Sequence, residues 1–266
     1  MVPLPSPYPL LKPVLKWAGG KRWLVPKLRE LWQPYCDRRL VEPFVGSMSV
    51  TLGLLPQQAL LCDQNIHVIN LCQWLQRGLI VDLEMANEAS RYYELRDRFN
   101  HLTLNGQHQT IEAAQIFYYL NRTGFNGLCR FNRKGMFNVP FGRYKVINYT
   151  RDFSSYAPVL RPWSFIAADF CHLQLHPNDF IYADPPYDVE FTKYSADDFR
   201  WEDQVRLAEW LALHPGPVVA SNQATDRILE LYERLGFSIQ LLEGPRRISC
   251  TGDRTPALEM LACKGF

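Results

Sequence analysis

The chain has 266 residues, 47% hydrophobic and 13% aromatic, which is enough to bury a substantial core and too apolar for a disordered chain. Its net charge of +2 excludes a uniformly basic or acidic protein. Seven cysteines (36, 62, 72, 129, 171, 250 and 263) contain no Cys-x-x-Cys pair, which argues against a disulfide framework or a zinc ribbon and suits a reducing cytoplasm.

The opening MVPLPSPYPLL has prolines at 3, 5, 7 and 9 and no basic start. It does not read as a signal peptide, and no run approaches membrane-spanning length. Lys12 to Arg29 is free of acidic residues and carries Lys16, Lys21, Arg22 and Lys27. Within it WAGGK (17–21) resembles half a phosphate loop but lacks the leading glycine spacing and the following Ser or Thr, which speaks against a nucleoside triphosphatase. RRLVEPFVGSMSV (38–50) reads as strand, glycine turn and helix start; QALLCDQN (58–65) reads as a second strand ending in Asp63. A glycine turn after one strand and an acid closing the next form a nucleoside site. It sets Glu42, Phe44 and Gly46 under the ligand and Asp63 on its ribose hydroxyls. The Gly-x-Gly-x-x-Gly fingerprint of dinucleotide sites is absent, so a nucleoside without a pyrophosphate, S-adenosylmethionine, fits better.

Helical periodicity follows at 66–77, 82–99 and 111–121, where Phe117, Tyr118 and Leu120 read as core. The segment 122–150 has no sustained period and reads as a long structured loop. From Ala113 to Arg151 there is no acid, but Arg122, Arg130, Arg133, Lys134, Arg143, Lys145 and Arg151 are interleaved with Phe125, Phe131, Phe137, Phe141 and Tyr144. Charge segregated in this way is the footprint of a polyanion binder.

Strand signals return at 163–169, 180–184, 217–222, 237–243 and 258–263, with helices at 201–214 and 224–235. The alternation predicts an α/β fold with a doubly wound, mostly parallel sheet. It divides the chain into a discontinuous catalytic domain (1–65 and 161–266) and a mainly helical insert (66–160). In FIYADPPYD (180–188) the strand stops at Asp184. The two prolines restrict the backbone, so Asp184, the Pro185 carbonyl and the Tyr187 ring leave a carboxyl strand end in a defined geometry, where open α/β sheets bind ligands.

Four of these segments together resemble one family, the Dam-type (D12 class) DNA adenine methyltransferases: LKWAGGK (15–21), EPFVGSMSV (42–50), YLNRTGFNGLCRFNRKGMFNVPFGRY (119–144) and DPPY (184–187). RRISCTG (246–252) resembles the family's late segment more loosely. A lone DPPY is moderately specific and the 26-residue insert match very specific; Asp184, rather than Asn or Ser, favours adenine over cytosine or a protein glutamine. The resemblance implies a Rossmann-like, S-adenosylmethionine-dependent enzyme acting on double-stranded DNA in the cytoplasm without a metal, with S-adenosylhomocysteine as product. It implies Trp17 and Lys21 beside the cofactor, with Asp63 on the ribose and Asp184 at the amino-acid end. It sets Lys16, Asn126, Leu128, Arg130 and Tyr144 on DNA and Phe125 as a wedge in the base stack. Arg130 would bridge guanine and Leu128 would touch a thymine methyl, with GATC as the implied target. A flipped adenine would stack on Tyr187 and donate its amino hydrogens to Asp184 and the Pro185 carbonyl, which together form the catalytic group.

The family commonly has a second glycine in the cofactor turn where this chain has Met48, which predicts crowding of the methionine moiety or an altered backbone angle. Two rivals stand beside the enzyme reading. One is a DNA-binding module with impaired cofactor binding, against which Asp63, Asp184 and Tyr187 speak. The other is a methyltransferase acting on RNA or protein; the basic, aromatic insert argues against a protein substrate. The six histidines have no ligand spacing, and any restriction endonuclease partner would be a separate chain, since no nuclease-like region is visible.

Overall fold

Val41, Leu60, Ile181 and Val218 are buried on one side of the central sheet, and their chain neighbours Leu40, Leu61, Phe180 and Val219 on the other. Strands apolar on both sides require cover on both faces, the condition under which parallel sheets occur. The computed structural model describes residues 11–188, 199–245 and 257–266. The proline-rich opening (1–10) and the 246–252 motif lie outside the described residues.

Among the described residues seven strands form one sheet: β1 (Leu40–Glu42), β2 (Ala59–Asp63), β3 (Trp163–Ala167), β4 (Phe180–Ala183), β5 (Val218–Gln223), β6 (Ser238–Gly244) and β7 (Ala257–Lys264). Their spatial order is β3-β2-β1-β4-β5-β7-β6; the first five pair in parallel and β7 runs antiparallel to both neighbours. This is the doubly wound, mostly parallel sheet read from the alternation. The order reverses between β1 and β4, where Val41 pairs with Ile181. The segments leaving those two strands, 43–50 and 184–188, therefore emerge side by side at the switch point of the sheet, the usual ligand crevice of such folds.

One face is covered by α7 (Trp201–Ala212) and α8 (Asp226–Arg234). The other is covered by α1 (Val25–Trp32) and α3 (Ile66–Gln76); α5 (Ile111–Thr123) packs on α3, and α4 (Ala89–Leu104) on α5. Phe117, Tyr118 and Leu120 of α5 are buried, as expected. α3 starts at Asn65, whose side chain accepts from the amides of His67 and Val68, a cap typically contributing about 1 kcal/mol.

The helices differ from the sequence expectation most at 82–88 and at 25–32. The pattern at 82–88 is not helical: Asn87 Nδ2 donates to the Tyr144 carbonyl and the Ala86 carbonyl accepts from Tyr119 Oη, so these polar groups are satisfied by residues distant in the chain and α4 begins only at Ala89. Helix α1 was not anticipated, although Pro26 sits in its first turn and Val25, Leu28 and Trp32 share its buried side. Two single-turn helices, α2 (Thr51–Leu54) and α6 (Ala157–Leu160), complete the set. Among the described residues no helix is long and apolar enough to cross a membrane, and the six described cysteines are free.

Candidate active site

The turn after β1 is built around Gly46, at φ 47°. A Cβ there would lie 2.7 Å from Trp17 Nε1, so only glycine lets the indole close over the turn. The Gly46 amide donates to Asp63 Oδ2 at 2.9 Å, and the Asn65 amide donates to Oδ1 at 2.9 Å. Each carboxylate oxygen keeps a lone-pair direction for a further donor. Phe44 packs against Phe170 and Phe199. Glu42, at the end of β1, is buried and accepts a hydrogen bond from Thr51 Oγ1. Burial pushes its carboxyl up to about 8, with the Thr51 bond opposing and the Asp184 charge adding. Met48 takes the left-handed angle itself, φ 58°, at a strain of roughly 1 kcal/mol or more. Its side chain is 2% exposed and joins the core.

The 184–188 segment emerges next to this turn. Asp184 Oδ1 receives Lys21 Nζ at 3.1 Å and Ser221 Oγ at 2.9 Å; both contacts use one oxygen, and neither holds Oδ2. Burial raises the Asp184 carboxyl, while the Lys21 charge and the Ser221 bond oppose it. Lys21 is 3% exposed, donates to the Gly19 carbonyl at 2.8 Å and lies 4.5 Å from the Tyr187 ring centroid. The acid-free 12–29 run is thus not one cationic surface. Lys21 is consumed in the site, while Lys27 pairs with Glu30 on α1.

A third group gathers around Gly127 and Lys16. Gly127, at φ 62°, faces Lys16, whose Cβ would be 2.4 Å from a Cβ placed there. Asn121 ties Lys16 down through both its backbone N–H and C=O. Lys16 Nζ lies 3.8 Å from the Tyr144 ring centroid, and burial, with Arg122 nearby, lowers its ammonium to about 8. Tyr144 Oη donates to the Gly124 carbonyl at 3.0 Å. Phe125 and Asn126 are exposed, and Leu128 is partly buried against the core. Arg130 is aimed by Asn138, with Nε donating to Oδ1 at 2.8 Å and Nη2 to the carbonyl at 3.2 Å. Of the interleaved aromatics only Phe125 is exposed. Phe137 is core, Phe131 stacks on His67, and Phe141 packs on Tyr92.

The family model for D12 class N6 adenine-specific DNA methyltransferases matches residues 17–248. The chain belongs to this family. It is 34% identical to the retron Ec67 DNA adenine methylase of Escherichia coli, over 95% of this chain and 91% of that protein. It is 34% identical to the DNA adenine methylase of Escherichia coli K12, over 93% of each chain. It is 37% identical to that of Haemophilus influenzae, over 74% of this chain and 73% of that one.

In this adenine methyltransferase several residues that shape the DPPY segment escaped the sequence reading. Gln204 of α7 donates to the Pro186 carbonyl at 2.8 Å, and Asn222 holds Gln204 at 2.9 Å. Arg227 clamps Asp188 with two hydrogen bonds. Glu259 of β7 accepts from Tyr187 Oη at 2.6 Å and lies 3.8 Å from Lys21 Nζ. Glu259 did leave a signal: one acid inside the apolar run LEMLAC. A buried carboxylate is costly unless partnered, so such a residue points to a polar site across the sheet.

Proposed function

We propose that this adenine-specific DNA methyltransferase takes its methyl group from S-adenosylmethionine and delivers it to N6 of an adenine flipped out of duplex DNA, within GATC. The observation that carries the reading is the meeting of the Asp63–Gly46 turn and the Lys21–Asp184–Tyr187 cluster at the switch point of one sheet. The donor set suits a nucleoside sulfonium. Asp63 offers lone pairs to ribose hydroxyls, and Trp17 and Phe44 offer apolar rings. Bound there, the cofactor would supply an electrophilic methyl group.

The chain's own residues do the rest by position and electrostatics. Tyr187 gives the flipped base a stacking platform, worth about 1–3 kcal/mol per base. Asp184 and the Pro185 carbonyl accept the two amino hydrogens, which turns the nitrogen lone pair out of ring conjugation and stabilises the positive charge developing on N6. Residues 66–160 act as the recognition unit on the catalytic frame of 1–65 and 161–266. In that unit Asn126, Leu128, Arg130 and Tyr144 meet DNA together with Lys16 of the catalytic frame, and Phe125, 47% exposed, enters the gap beside the extruded base. We place this work in the cytoplasm, where the free cysteines stay reduced.

The test is methyl transfer from labelled S-adenosylmethionine to a duplex with one GATC and to a duplex with that site scrambled, followed by nucleoside mass analysis. N6-methyladenine in the first alone supports the reading; transfer to another sequence would refute the GATC assignment. Arg130→Ala is expected to cost about 1–3 kcal/mol in kcat/KM on GATC and to relax discrimination at the guanine. A uniform loss on all sequences would instead make Arg130 a phosphate contact.

A further inference from the structure

We propose that Glu259 is a positioning residue for methyl transfer: from β7 it tethers the Tyr187 phenol and thereby fixes the ring on which the target base stacks. The inference deepens the proposed function and rests on its assignment of Tyr187 as the base platform. A tyrosine ring attached only through Cβ rocks about its side-chain torsions; a bond at the hydroxyl end restrains the opposite pole of the ring. Here that bond is 2.6 Å long, from Oη to Glu259 Oε2. The same oxygen is 3.8 Å from Lys21 Nζ, which lies 4.5 Å from the ring centroid and 3.1 Å from Asp184 Oδ1. The ring is therefore held at its tip by Glu259 and against one face by Lys21, and the opposite face is the one offered to the base.

Glu259 is itself bedded firmly. It is 9% exposed, and a Cβ on Gly244 of the adjacent strand β6 would lie 2.4 Å from its Oε1. The carboxylate thus rests on bare backbone, with no room for a side chain between. Burial, reinforced by Asp184 and Glu259, keeps the Tyr187 phenol protonated, so it is the donor in this bond. Displacing a reacting group by about 1 Å commonly costs about 100-fold in rate, so a loosened platform is expected to show in turnover more than in DNA affinity.

The experiment is single-turnover methyl transfer with the full chain, alongside duplex affinity and thermal melting. Glu259→Leu is expected to lose about 30- to 100-fold in rate with little change in duplex Kd. Tyr187→Phe, which deletes only the tethered hydroxyl, is expected to match it, and the double variant to fall no more than about threefold below either. Glu259→Gln keeps an acceptor for the phenol and is expected to recover to within about threefold of wild type. Gly244→Ala, which displaces the carboxylate without removing it, replaces Glu259→Leu if that variant fails to fold and carries the same expectation.

Wild-type turnover in Glu259→Leu, multiplicative losses in the double variant, or equal losses in the Gln and Leu variants would each overturn the tether. Tyr187→Ala separates this proposal from its premise. An inactive Tyr187→Ala beside an active Glu259→Leu sinks the tether alone; an active Tyr187→Ala sinks the platform assignment itself.

Discussion

Replacing Asp184 with alanine is expected to lower single-turnover methyl transfer about a thousandfold, the scale seen when one preorganised group is removed from a site of developing charge. The loss follows from the geometry. Lys21 and Ser221 both occupy Oδ1, which fixes the carboxylate and leaves Oδ2 to accept from a substrate amino group. Alanine also leaves the Lys21 ammonium, 3% exposed, with Glu259 at 3.8 Å as its nearest carboxylate, and stripping one partner from a buried charge is destabilising. Asp184→Asn is therefore the companion variant. It keeps the shape and one acceptor while removing the charge, and it is expected to retain the fold with transfer still strongly reduced. Because burial raises the Asp184 carboxyl above its ordinary 3.8, activity in wild type is expected to fall with acidification at a pH above that value. Near-normal turnover in the alanine variant would overturn the assignment of Asp184 as the acceptor.

Glu42 yields the second large effect, on stability. Its ordinary value of 4.5 is pushed up to about 8 in the folded chain, chiefly by burial. Between those values the folded state holds a proton that the unfolded state has released. Stability accordingly falls as pH rises through that window, by up to about 1.4 kcal/mol per pH unit from this one group. Glu42→Gln is neutral at every pH, has nearly the same shape and still accepts from Thr51. It is expected to match wild type near pH 5 and to exceed it by roughly 2–4 kcal/mol at pH 8 in urea unfolding. Parallel stability curves for the two proteins from pH 5 to 8 would show that Glu42 is not held protonated.

Local chemistry made much of this molecule legible in advance. β2 ends at Asp63 and β4 stops before Asp184, as read from short apolar runs closed by an acid or by prolines. The apolar period of α5 marked Phe117, Tyr118 and Leu120 as core, and all three are buried. The alternation of strands and helices foretold a mostly parallel sheet. These features rest on periodicity and backbone restriction, which act between residues close in the chain. The same locality explains the errors. The apolar spacing at 82–88 suits a helix, but Asn87 and Ala86 bond instead to Tyr144 and Tyr119, which lie far along the chain. Phe131, Phe137 and Phe141 pack inward because α3 and α4 offer them the rings of His67, Phe99 and Tyr92, and Tyr144 is drawn in by the Lys16 ammonium.

The chain's own pattern thus specified the strands, the two acids at their ends and the family that carries them. It did not specify that Lys21 would pair with Asp184, or that Tyr187 would be met by a carboxylate 72 residues away. Those pairings follow from strand order: β4 lies beside β1 and β5, and β7 returns antiparallel next to β5, which carries Glu259 to the site. Strand order is settled by how both apolar faces of the whole sheet are covered at once, a global packing condition that no local period encodes.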